Sequence, residues 1–149
     1  MPEARGQKSE ASVSKPSKPP GPIRHFSDLI VYRRAFAIAM RVFSLSKGWP
    51  LEERYSLTDQ VRRSSRSIGA NIAEAWAKRR YPAHLISKLT DADGEAHETE
   101  HWLGCALRHG YLAQKDFDAL RDDLREVGKM LGSMLTHPER FGIRPLSDS

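Results

Sequence analysis

The sequence predicts an all-α protein, an up-down antiparallel four-helix bundle behind a disordered basic arm. Three observations carry this. Apolar residues recur at alternating steps of three and four in four successive stretches, glycine and proline punctuate the gaps between them, and no alternating run of comparable length suggests a strand. The 149 residues suffice for one buried core and not for two domains. Hydrophobic residues are 39% and charged residues 29%, which excludes disorder throughout and suits amphipathic helices with wet outer faces.

Residues 1–24 form the expected arm. Four of the nine prolines fall between Pro16 and Pro22, and five basic residues face two acidic ones, so the arm carries +3 of the net +5 and leaves the remainder at +2. Such composition lacks the apolar surface that would offset the entropy of ordering. The bundle is expected over 25–138, with a flexible C-terminal tail over 139–149.

In the first helix, Leu29, Tyr32, Phe36, Ala39 and Phe43 make the apolar line, Ser27 is the expected N-cap, and Gly48 and Pro50 end the helix. The second runs from about Glu53 to Arg80, with Leu57, Val61, Ile68, Ile72 and Ala75 inward and Pro82 closing it. The third uses Leu85, Leu89, Ala92, Ala96, Thr99, Leu103 and Ala106 and ends at Gly110, which suits a left-handed turn. The fourth uses Phe117, Leu120, Leu124, Val127, Leu131 and Met134 and stops before Pro138. Short turns between long helices favour antiparallel neighbours at small crossing angles.

The lone Cys105 permits no internal disulfide, and no stretch has the makeup of a signal peptide, so the expected location is the cytoplasm. The longest apolar run, Ala35 to Met40, is far short of the about 20 residues that cross a bilayer, so no membrane partner is expected.

The second helix shows three faces when its residues are turned by about 100° each. Opposite the apolar line lie Arg62, Arg63, Arg66 and Arg80, and between the two runs a small polar stripe of Gln60, Ser64, Ser67, Asn71 and Glu74. Small polar residues let a neighbouring helix approach and exchange hydrogen bonds, which makes the stripe structural. A catalytic reading of Asn71 and Glu74 would need a partner acid, base or nucleophile that the sequence does not offer. No catalytic residue and no cofactor are assigned, and the chain is expected not to be an enzyme.

The segment from Tyr55 to Glu74, YSLTDQVRRSSRSIGANIAE, resembles the signature of the four-helix bundle proteins also called 23S ribosomal RNA intervening-sequence proteins. Phe26-Ser27-Asp28-Leu29 with Tyr32, Gly94 and Glu98, and Gly110-Tyr111-Leu112 extend the resemblance over about residues 26–137. It implies a cytosolic homo-oligomer, ring-like and pentameric in relatives, one of which is a nucleic-acid-binding accessory protein of diversity-generating retroelements. It also gives Glu98 a structural role. Ala75 and Glu95 depart from the glycine and serine usual at those positions.

His97-Glu98-Thr99-Glu100-His101 satisfies H-E-x-x-H, in which two imidazoles one turn apart hold zinc. The longer metzincin form needs a third histidine where Leu107 stands, and Glu100 puts a charge where zincin helices carry none. The expectation is therefore two solvated or interfacial histidines and no dedicated metal site, with Asp93 at most joining them in adventitious zinc or nickel binding. The stronger candidate is cationic: Arg62, Arg63 and Arg66, then Lys78, Arg79 and Arg80 about 27 Å further along the axis. Arginine forks engage phosphate at two points, and a ring of copies would multiply a modest attraction. These six residues point to RNA or DNA backbone as partner. The alternative is a protein-protein scaffold built on Trp49, Trp76 and Trp102.

Overall fold

The computed structural model describes residues 21–146, and the first 20 residues of the expected arm lie outside them. Four α-helices follow one another, with no strand among the described residues: α1 (Ile30–Ser46), α2 (Asp59–Ala77), α3 (Pro82–Arg108) and α4 (Gln114–Thr136). Each packs on two neighbours in the ring α1–α2–α3–α4. The turns after α1 and α3 share one end of the bundle, where the Tyr111 hydroxyl donates to Glu53 at 2.9 Å. That is the antiparallel up-down arrangement expected.

The apolar lines of α2, α3 and α4 face inward as expected. Ile68, Ile72, Leu89, Leu120 and Val127 have no exposed surface, and only Phe117 is left part-buried at the rim. The first helix differs. Its buried line is Val31, Ala35, Ile38, Ala39 and Val42, while Tyr32 and Phe43 are half-buried and Phe36 is 51% exposed. The bulky aromatics sit one residue round from the true core line, on a second apolar face toward α2. Gly69 of α2 lies against Tyr32 there, and a Cβ at Gly69 would meet the Tyr32 ring at 3.4 Å, an ordinary contact.

The helix ends also differ from expectation. His25, not Ser27, caps a short 3₁₀ turn over Phe26–Asp28: its ring accepts from the Ser27 amide, and the Asp28 carboxylate accepts from the Arg24 and His25 amides. A 3₁₀ turn at Leu51–Glu53 and a wide π-turn at Arg54–Thr58 precede α2. At its other end α2 stops at Ala77, three residues early, because Tyr81 before Pro82 is driven to extended geometry. Pro82 opens α3, where its missing N–H costs nothing. Gly110 takes the expected left-handed conformation at φ 82°.

Within the expected C-terminal tail Ile143 is the one buried residue among those described, and most of the others are exposed. Pro138–Phe141 forms a 3₁₀ turn, Gly142 reverses the chain at φ 72°, and Ile143 is 1% exposed. The Leu146 amide then donates to the Arg80 carbonyl at 2.8 Å, closing the end of the bundle opposite Tyr111. A lone aliphatic beyond the last long helix thus joins the buried core. Replacing Ile143 with Ala is expected to cost about 2–5 kcal/mol and lower the melting temperature with helicity retained below it. An unchanged melt would show that this segment adds nothing to the core.

Candidate nucleic-acid interface

Of the polar stripe of α2, Ser64 and Glu74 meet α3 across the seam between the two helices. Ser64 is buried without exposure, donates to the Val61 carbonyl, and accepts the Thr99 hydroxyl at 2.9 Å. Thr99, placed by sequence among the apolar residues of the third helix, is thus the polar half of a buried pair. Its hydroxyl also lies 2.8 Å from the Glu95 carbonyl of its own helix. Asn71 donates to the Ser67 carbonyl one turn back, which keeps that amide within α2. Gln60 is part-buried on the same helix. Glu74 lies at the rim, 3.1 Å from Lys88 of α3 and 3.9 Å from Lys78.

At the middle of the seam Arg63 reaches across to Glu98, which also accepts the Trp102 indole N–H at 3.0 Å, and lies 3.4 Å from Glu95. The Glu95 contact is close enough for attraction but not aimed for a hydrogen bond, and that carboxylate oxygen is buried without another partner among the described residues. The Trp102 indole first, then Arg63, holds the Glu98 carboxyl below its ordinary range, and Glu98 in turn pushes the Arg63 guanidinium up. Glu95, one of the two departures from the family pattern, thus lies in the ion pair. Ala75, the other, is fully buried in the core.

The remaining cations divide. The Arg62 Nε donates to Ser46 Oγ at 2.8 Å, and its guanidinium lies 4.6 Å from the Phe43 ring centroid on α1. Arg66 is exposed and 5.7 Å from the same ring. Lys78, Arg79 and Arg80 follow the end of α2 in a turn, so the straight helical projection used for their spacing does not apply. Arg79 lies 4.0 Å over Trp76 and donates to its carbonyl, and Arg80 points to solvent. Arg62, Arg66, Arg79 and Arg80 have no carboxylate within 4.0 Å among the described residues.

Two other groupings are less convergent. Trp49 and Trp76 are 7% and 6% exposed, and Trp102 spends its N–H on Glu98, so the tryptophans serve this chain's own core and seam. His97 and His101 are exposed: His97 Nδ1 lies 2.9 Å from the Asp93 carbonyl, and the His101 ring packs edge-on to Trp102. No three metal-binding side chains converge among the described residues.

The family model of the 23S rRNA-intervening sequence protein matches residues 27–133. The chain belongs to this family. A solved structure from Bacteroides thetaiotaomicron, described as a protein of unknown function from the S23 ribosomal protein family, is 33% identical. The match covers 72% of this chain and 96% of that one, with a TM-score of 0.65. No curated protein matches. No described helix is long and apolar enough to cross a membrane.

Because Glu98 binds its proton more weakly folded than unfolded, its contribution to stability is present above the unfolded carboxyl pKa of about 4.3 and is lost as pH falls through the lower folded value. Glu98→Gln is therefore expected to melt below wild type at pH 7, with the gap closing below about pH 4. A gap that is constant or widens on acidification would contradict this.

Proposed function

We propose that this protein is a non-enzymatic, cytoplasmic, oligomeric accessory protein that binds RNA or DNA through its phosphate backbone. The observation that carries the reading is the grouping of Arg62, Arg66, Arg79 and Arg80 on and just after α2, none of which has a carboxylate within 4.0 Å among the described residues. Arg63 belongs to the seam in this reading, and Lys78 adds charge at the periphery. The intervening-sequence name of the family agrees with an RNA partner. Contacts to phosphate carry no base information, so binding is expected across unrelated sequences.

Self-association is proposed through the second apolar face of α1. Phe36 is 51% and Met40 43% exposed, and with Tyr32, Gly69, Ala70 and Ala73 they line a groove of ≈ 250 Å³ between α1 and α2. A ring needs a heterologous contact, with this groove of one copy receiving a different face of the next, and five copies so joined would repeat the cationic face around the ring. The occupant is a second copy of this chain, and a different protein partner is the scaffold alternative.

Two outcomes are expected. Light scattering should give a mass near five times the 16.9 kDa chain, and Phe36→Glu with Met40→Glu should reduce it to that of the chain with helicity intact. A wild-type monomer at micromolar concentration would remove the ring. Changing Arg66, Arg79 and Arg80 together to Glu should leave folding nearly unchanged, weaken RNA and DNA binding alike, and flatten the salt dependence by about 0.7–0.9 in log-log slope per lost phosphate contact. A folded triple variant with wild-type affinity and slope would leave the scaffold reading in its place.

A further inference from the structure

Phe43, half-buried near the end of α1, gathers three positive charges from two helices. The Lys47 ammonium lies 5.0 Å from its ring centroid, the Arg62 guanidinium 4.6 Å and the Arg66 guanidinium 5.7 Å. All three therefore stand within 5.7 Å of one point. The ring's negative face attracts each cation singly, but it carries no net charge and leaves their mutual repulsion unbalanced. Among the described residues no carboxylate lies within 4.0 Å of any of them. Elsewhere the same fold does supply one, to Arg63, Lys88, Arg121 and Arg125.

The cluster is also held in place. Arg62 donates to Ser46 Oγ at 2.8 Å and lies 3.5 Å from the Phe43 carbonyl, which positions one guanidinium and leaves its other N–H groups free. Lys47 is the C-cap of α1, where the helix's carbonyl end favours a cation. Lys47 and Arg66 are exposed, so the concentrated charge opens on solvent. Concentrated positive charge with donors from several directions suits an oxyanion with several acceptor oxygens, and guanidinium forks suit phosphate geometry.

We infer that Lys47, Arg62 and Arg66, seated around Phe43, form a phosphate-binding site. The phosphate comes either from a nucleic-acid strand lying on the proposed face or from a free phosphorylated ligand. The strand arm rests on the nucleic-acid reading above, and the free-phosphate arm does not. Lys47 was not legible as a site residue, because it joins the cluster only through the packing of α1 against α2.

The test measures pyrophosphate binding by calorimetry and single-stranded RNA binding by fluorescence anisotropy on the full chain. The variants are Lys47→Gln and Phe43→Leu, with Arg125→Gln of α4 as a control for lost charge and circular dichroism as the check on folding. Lys47→Gln is expected to weaken both ligands several-fold and to reduce the salt slope for RNA by about 0.7. Phe43→Leu keeps apolar volume, removes the shared seat and should weaken both as well, while Arg125→Gln should change neither. Unchanged affinities in Lys47→Gln, or an equal loss in Arg125→Gln, would overturn the site while leaving RNA binding by the wider face intact. Pyrophosphate binding lost in Lys47→Gln, with no RNA binding by wild type, would uphold the site and remove the nucleic-acid reading. Absence of binding to both ligands would overturn both.

Discussion

The buried hydrogen bond between Ser64 and Thr99 is the contact on which the arrangement of this bundle depends. Each hydroxyl also has a partner or near neighbour in its own helix's backbone, so neither is left unsatisfied in the core. A hydrogen bond of this kind contributes about 0.5–1.5 kcal/mol net, and its directionality adds to the apolar contacts in setting the rotation of α2 against α3. With that rotation set, Ile68 and Ile72 face the core, Arg63 meets Glu98, and Arg66 faces outward beside α1. The seam and the cationic face are two consequences of one orientation of α2.

Most of the fold was legible because three of the four helices carry a single, narrow apolar line. Leu57 through Ala75, Leu85 through Ala106 and Leu120 through Met134 are buried as their spacing implies. In the first line Leu29 and Ala39 are buried as expected, but Tyr32, Phe36 and Phe43 were misplaced because the helix is apolar over two adjacent faces. Tyr32, Phe36 and Phe43 are larger than Val31, Ala35 and Val42, so their period dominates, yet the smaller residues fill the core. Spacing reports that a face is apolar and not which of two neighbouring faces is covered. The burial of Ile143 escaped for a different reason: one aliphatic and one left-handed glycine make no period.

The candidate site was legible by composition and less so by geometry. Arg62, Arg63 and Arg66 stand on α2 where the sequence places them, Lys78, Arg79 and Arg80 follow its end in a turn instead, and whether a cation is free depends on what the neighbouring helix brings opposite it. Glu95 and Glu98 meet Arg63 across α2 and α3, and Phe43 and Lys47 meet Arg62 and Arg66 across α1 and α2. Both relations require the offset between helices, which no single-helix projection contains. The stripe of Ser64 and Glu74 was legible as structural because small polar residues beside an apolar line have few other uses, although Thr99, its buried partner, looked apolar by position.

The central claim is that α2 divides its arginines, giving Arg63 to the seam and the others to a ligand. A double-mutant cycle of Arg63→Gln and Glu98→Gln, followed by both chemical denaturation and RNA binding, tests this most directly. The account predicts that the two changes destabilise non-additively, with a coupling of about 0.2–1 kcal/mol for a half-exposed pair, and that RNA affinity and its salt slope are unaffected by Arg63→Gln. Additive or absent effects on stability, together with weaker RNA binding and a flatter salt dependence in Arg63→Gln, would contradict it.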